Sequence, residues 1–189
     1  MPKRKKSVRF VSRGGDKLDG ALDVFGLDVV GQTVADLGSN VGGFTDCVLQ
    51  RGARCVYAVD TGYGVLDWKL RQDERVVVRE RVNALHVTLP EPVDLTVVDV
   101  GWTPMVRILP VALNLVRQDG CVIALLKPQY EARDDERKKG VVLADCIENI
   151  VNRVVDGLAN VGIRVVNRTP ASVVGSGGNQ EYLLLVEPN

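Results

Sequence analysis

Two charged side chains stand where strongly apolar runs stop. Asp99 follows Leu95-Thr-Val-Val98, and Lys127 follows Cys121-Val-Ile-Ala-Leu-Leu126. An ionised group beside such runs is costly to bury unless a partner or a polar cluster receives it. Lys17, after Arg13-Gly14-Gly15, and Glu181, just ahead of the apolar run 182–186, supply a second amine and a second carboxylate. Brought together, the four could steer a proton. The plainer reading is a structural ion-pair network.

A second group surrounds a glycine-rich turn. Asp36 lies in the apolar stretch 33–37, the turn Gly38-Ser-Asn-Val-Gly-Gly43 follows, and Asp60 closes the next apolar run 24 residues after Asp36. Glycine permits a tight turn and a close ligand approach. The spacing does not fit the dinucleotide pattern GxGxxG, and no GK[ST] marks a phosphate loop. An acidic strand end without a nearby base suits a ligand carrying an amine better than a pyrophosphate, and S-adenosylmethionine has such an amine. Asp60 is placed to accept hydrogen bonds from two ribose hydroxyls, and Asn83, after a third apolar run, to meet an adenine edge. Asp36, Gly38, Gly42 and Gly43 are therefore cofactor candidates. The alternative is that they are turn formers and helix caps.

The elements that must position these residues alternate. Helical spacing marks 16–25, through Leu18, Ala21, Leu22 and Phe25, with Gly26 as its stop. Strand patterns occupy 33–37, 55–59, 75–79, 93–98, 121–126, 163–167 and 182–186, and helices are expected over 44–51, 105–116 and 142–158. This alternation predicts βαβ units and a mostly parallel, seven-stranded sheet with helices on both faces. Ligands of such sheets bind beyond the carboxyl ends of the strands, where Gly38 to Phe44, Asp60, Asn83, Asp99 and Lys127 all fall.

The 189 residues suffice for one α/β domain, and 46% hydrophobic with 25% charged residues is an ordinary globular composition. Lys+Arg and Asp+Glu are both 24, so no overall positive charge announces nucleic acid. The charge is uneven, however: Lys3, Arg4, Lys5, Lys6, Arg9 and Arg13 make residues 1–12 and their border a basic arm ahead of a domain over 13–189. Cys47, Cys55, Cys121 and Cys146 have no metal-ligand spacing, so no metal is expected, and they read as free thiols of a reducing, cytoplasmic compartment. No run approaches the roughly 18 apolar residues of a membrane span, and the basic start lacks the apolar stretch of a signal peptide.

Seven segments, in order, resemble one family. They are Val11-Ser-Arg-Gly-Gly-Asp-Lys-Leu18, Gly38-Ser-Asn-Val-Gly-Gly-Phe-Thr-Asp-Cys47, Tyr57-Ala-Val-Asp-Thr-Gly-Tyr-Gly-Val-Leu-Asp-Trp-Lys-Leu-Arg71, Pro92-Val-Asp-Leu-Thr-Val-Val-Asp-Val100, Leu126-Lys-Pro-Gln-Tyr-Glu-Ala132, Lys139-Gly-Val-Val142 and Gly178-Asn-Gln-Glu-Tyr-Leu183. Together they closely resemble the hemolysin A (TlyA) type of FtsJ-like RNA 2′-O-methyltransferase. The resemblance implies a Rossmann-like class I methyltransferase fold, S-adenosylmethionine as cofactor, and RNA, ribosomal RNA in particular, as partner. It implies a Lys-Asp-Lys-Glu tetrad at Lys17, Asp99, Lys127 and Glu181. It also implies cofactor contacts from Gly38, Gly42, Phe44, Asp60, Asn83 and Asp99.

A ribose hydroxyl is a poor nucleophile until its proton is leaving. Lys127 is expected to be the general base or the proton-steering group. A neutral lysine would need its reference pKa of about 10.4 to fall; Lys17 pushes it down, whereas Asp99 and Glu181 push it up. The pattern also departs from the family. Members usually begin with a small RNA-binding S4 domain, whereas ten residues precede Val11 here, so the S4 domain is expected to be missing. Gly101-Trp102 stands where a Ser and a Phe are expected; Trp102 either stacks on a base or fills a gap beside Pro104. Two other classes compete: an idle S-adenosylmethionine- or RNA-binding module, and a nicotinamide-dependent oxidoreductase. The glycine spacing disfavours the second, and the intact tetrad weakens the first.

Overall fold

The computed structural model describes residues 9–188. Lys3, Arg4, Lys5 and Lys6 of the expected basic arm lie outside them. Phe10, which the sequence assigns to the arm, is buried at 2% exposure with the partly buried Val11 packed against the same core. The packed body therefore reaches back past residue 13.

Helix α1 (Arg13–Phe25) begins three residues before the sequence pattern places it, because the Ser12 side chain accepts a hydrogen bond from the Gly14 N–H and caps it. It ends at Gly26, whose φ of +66° lets its N–H turn back to the Asp23 and Leu22 carbonyls. The chain then runs through β1 (Thr33–Leu37), α2 (Gly43–Gln50), β2 (Cys55–Asp60), α3 (Trp68–Arg71), β3 (Val76–Glu80), β4 (Val93–Val98), α4 (Met105–Leu115), β5 (Val116–Leu126) and α5 (Pro128–Glu131). A two-stranded ribbon, β6 (Arg137–Lys138) and β7 (Val141–Val142), precedes α6 (Ile147–Asn160), β8 (Val165–Pro170) and β9 (Tyr182–Val186).

Seven of these strands form one sheet in the order β3-β2-β1-β4-β5-β9-β8. The first five are parallel, and β9 runs antiparallel to both neighbours. The strand order reverses between β1 and β4, which opens a crevice at their carboxyl ends. Central strands are apolar on both faces, as burial on both sides requires. In β5, Ile123 and Leu125 meet Leu18, Leu22, Phe44 and Val48 from α1 and α2, while Val122, Ala124 and Leu126 meet Ile108, Leu109, Val151 and Leu158 from α4 and α6.

Other expected elements also change at their starts, and the strand expected over 121–126 begins at Val116, directly after α4. The helix expected over 142–158 begins at Ile147, because Val141 and Val142 pair with Lys138 and Arg137 across a tight turn. β-Branched residues after a glycine turn favour that pairing. The strand expected from 163 starts at Val165, because the Ile163 N–H closes α6 on the Leu158 carbonyl.

Phe10 fills the space that a side chain on Gly15 would need, its Cγ standing 2.3 Å from the position of a Cβ there. Phe10→Ala should cost about 3–5 kcal/mol in urea unfolding. A loss under about 1 kcal/mol would detach this segment from the folded body.

Candidate active site

The crevice is a cavity of about 700 Å³ at the carboxyl ends of β1, β2, β4 and β5. Lys17, Asp36, Gly38, Gly43, Phe44, Asp60, Asn83, Asp99, Lys127 and Glu181 all line it. Gly42 does not.

The two amines and two carboxylates meet as two pairs. Lys127 Nζ stands 2.5 Å from Asp99 Oδ1 and also donates to the Val100 carbonyl at 3.2 Å. Lys17 Nζ, brought by α1, donates to Glu181 Oε2 at 2.5 Å. Gln129 Nε2 donates to the other Glu181 oxygen at 3.3 Å. Glu181 is 2% exposed, so a charge there depends on these partners. Burial pushes the Asp99 carboxyl upward, and Lys127 pulls it back.

Different elements deliver these groups. Asp99 and Lys127 are extensions of adjacent parallel strands, so their juxtaposition follows from the β4–β5 register. Glu181 precedes β9, whose antiparallel direction puts its start at the same sheet edge. A Cβ on Gly175 would lie 2.2 Å from Glu181 Oε1, so only glycine leaves room for the carboxylate. The sequence reading missed Gly175 and Gln129. Gln129 lies in the Lys-Pro-Gln-Tyr segment beside Lys127, whereas nothing local marks Gly175.

The glycine turn works differently from the expectation. At Gly42 (φ +98°) a Cβ would stand 2.2 Å from Leu70 Cδ1 and 2.8 Å from Leu66 Cδ1. At Gly43 it would stand 2.2 Å from Ser12 Oγ. Both glycines serve packing of the chain on itself. Gly38 (φ +85°) lies against the backbone of Asp99, 2.6 Å from its carbonyl oxygen to where a Cβ would be. This close approach ties β1 to β4 at the mouth of the crevice.

Asp60 fixes the next loop: its Oδ2 accepts from the Asn40 N–H at 2.9 Å and its Oδ1 from the Gly62 N–H at 2.7 Å. Asn83 Oδ1 caps the turn Ala84–His86 through the Leu85 N–H, and its amide NH2 has no partner among the described residues. Asp36 is fully buried. Its Oδ2 accepts from Thr45 N and Oγ1, while Oδ1 has no partner among the described residues. Burial drives its pKa up to about 7, against the lowering effect of the Thr45 hydrogen bonds.

Trp102 fills no gap. It is 82% exposed, between Gly101 and Thr103 of the cavity wall, with its ring 4.5 Å from that of Tyr130. Lys127 Nζ lies 5.8 Å from the Tyr130 ring centroid.

Residues 10–187 match the model of the FtsJ-like methyltransferase family. The chain is 42% identical, over 94% of its length, to a candidate rRNA methyltransferase of Bacillus subtilis, YqxC, and spans 65% of that protein. It is 39% identical, over 93% of its length, to the 16S/23S rRNA (cytidine-2′-O)-methyltransferase TlyA of Mycobacterium tuberculosis, spanning 67% of it. A candidate hemolysin from Lactococcus lactis superposes with a TM-score of 0.88 at 37% identity, covering 95% of this chain and 89% of that one. No helix among the described residues is long and apolar enough to cross a membrane.

The raised pKa of Asp36 sets a pH dependence. The folded state holds this proton up to about pH 7, whereas the unfolded chain releases it near 3.8. Its stabilising effect is complete below 3.8 and lost as pH rises through about 7. Asp36→Asn, which cannot ionise, should gain stability over the parent as pH rises from 4 to 7, with a flat difference above. Thermal melts showing a pH-independent difference would mean that the carboxyl titrates normally.

Proposed function

The chain belongs to the FtsJ-like methyltransferase family, and on that premise we propose that it transfers a methyl group from S-adenosylmethionine to a ribose 2′-hydroxyl of RNA. The observation that carries this reading is the meeting of Lys17–Glu181 and Lys127–Asp99 in the same cavity as Asp36, Gly38 and Asp60. The names of the Bacillus and Mycobacterium relatives support ribosomal RNA as the substrate, and the latter a cytidine ribose. A cytoplasmic location belongs to the same proposal, because ribosomal RNA is there.

The residues present fit that cofactor. Asp36 keeps one oxygen without a partner and answers to a cationic amine. A carboxylate has about four lone-pair sites; Asp60 spends one on each of two backbone N–H groups and has the others for a ribose diol. Asn83 offers its amide NH2 to an adenine nitrogen. Gly38 keeps the cavity edge free of a side chain.

When bound, the sulfonium supplies an activated methyl carbon, which the ribose oxygen takes as the carbon–sulfur bond breaks. The chain's own part is to orient that oxygen and remove its proton. An ammonium has three donors; Asp99 and Val100 occupy two on Lys127, which leaves one for the hydroxyl. Burial makes Asp99 readier than an exposed carboxylate to share a proton. Lys127 first hands a proton to Asp99 Oδ1, and the neutral amine so formed takes the hydroxyl proton on its freed lone pair, so that the pair takes up a single proton. Lys17 holds Glu181 in place, and the two add no net charge beside the reacting atoms. Trp102 and Tyr130 give the base of the target nucleotide an aromatic face beside the mouth.

Lys127→Ala should lower the rate of methyl transfer by roughly 10²-fold or more while cofactor affinity stays within a few-fold. Methylation of RNA at the parent rate would remove Lys127 from the reaction. Asp60→Ala should weaken cofactor binding by about 1–3 kcal/mol, the cost of unpaired polar groups. Unchanged affinity in calorimetry would take Asp60 out of the cofactor site. The decisive assay supplies labelled cofactor with deproteinised rRNA or intact ribosomal subunits and maps the 2′-O-methyl positions. Label absent from ribose in every RNA would end the reading.

A further inference from the structure

The ribbon β6–β7 has no part in the tetrad, yet it is fastened to two of the segments that deliver it, those of Lys127 and Glu181. Asn179, only 4% exposed, spends its whole amide on the ribbon: Oδ1 accepts from the Val142 N–H at 2.9 Å, and Nδ2 donates to the Gly140 carbonyl at 3.1 Å. Two residues after Asn179 comes Glu181. On the other side, Arg137 Nη1 reaches the carbonyl of Gln129, which itself binds Glu181. The ribbon is thus held at the Lys127–Glu181 side of the cavity.

Its tip is an exposed cationic turn. Arg137, Lys138 and Lys139 are consecutive and exposed, and Lys139 and Gly140 form a two-residue loop with φ of +52° and +80°. Positive φ at both loop positions belongs to the type I′ turn, where asparagine or aspartate normally precedes glycine. A lysine there carries backbone strain without the side-chain hydrogen bond that eases it for asparagine. Of the three acids just before it, Asp134 pairs with Arg137 and Glu136 with Arg153, while Asp135 makes no ion pair among the described residues, so the turn has more free amines than free carboxylates. Lys138 and Lys139 pair with no acid among the described residues. In a chain with equal numbers of acidic and basic residues, two unpaired amines on a braced turn beside the reaction site are a local excess of positive charge.

We propose that the β6–β7 turn grips the phosphate backbone of the substrate RNA, through Lys138 and Lys139, next to the nucleotide held at the tetrad. Phosphates are positioned by such contacts without base readout, and a braced hairpin loses less freedom on binding than a loose loop. The proposal rests on the reading of the adjoining site as an RNA methyltransferase. Asn179 acts through the ribbon and is a positioning residue.

The test uses the full chain and two readouts, binding of deproteinised rRNA fragments across a salt series and cofactor affinity by calorimetry. Lys138→Gln with Lys139→Gln should weaken RNA binding roughly tenfold at low salt and flatten the slope of log K against log salt by about 1 to 2. The cofactor affinity of the pair should match the parent, and Lys138→Arg with Lys139→Arg should restore RNA binding. Parent-like binding and slope in the glutamine pair would overturn the proposal and leave the methyltransferase reading intact. A loss confined to intact ribosomal subunits, with naked RNA bound normally, would also overturn it by assigning the turn to a protein contact. A parent that binds RNA through these lysines yet methylates none would count against the methyltransferase reading alone.

Discussion

Charges withdrawn from water must be answered by other charges, and the site is organised around that requirement. Two amines and two carboxylates share one crevice, and each is matched at hydrogen-bonding distance. Removing any one would strand its partner, which costs far more than the pair contributes in isolation. The architecture serves this matching from three directions. Adjacent parallel strands supply one pair in register, while the opening helix and an antiparallel strand supply the other. Asp36, on the glycine-turn side of the crevice, is the exception. It has hydroxyl and amide donors but no cation, and it answers burial by retaining a proton to about pH 7.

Close backbone approach is the second constraint. Gly38 brings β1 against the backbone of Asp99, Gly43 brings α2 against the start of α1, and Gly175 yields its side-chain space to Glu181. These positions hold the walls of the cavity together before any ligand enters. The pattern Gly-x-x-x-Gly-Gly therefore reports how tightly the chain folds on itself, with its first and last glycines also at the edge of the cavity.

Much of this was legible in the order of residues. Asp99 and Lys127 could be found because an apolar run that stops at a charge marks the carboxyl end of a buried strand, and parallel order then sends both to one edge. Asp60 followed by the same logic. Lys17 and Glu181 carry weaker local signals and gained theirs from the resemblance to a family. Other features had no local mark. The packing role of Gly42 depends on Leu66 and Leu70, which arrive from a later loop. The last residue of the ribbon, Val142, reads as the start of a helix because Val142 and Leu143 suit either periodicity, and its N–H is instead bound by Asn179 from 37 residues away. The Phe10 contact was hidden by the basic composition around it.

The antiparallel placement of β9 has a temporal consequence. Lys17 and Glu181 are 164 positions apart, and Glu181 is held only once the strand behind it has inserted between β5 and β8. Contacts of such long range close late in folding. The second carboxylate is therefore seated only after the residues through Val186 have been made and β9 has paired with β5. Of the charged pairs that line the crevice, Lys17–Glu181 is the one that waits for the far end of the chain.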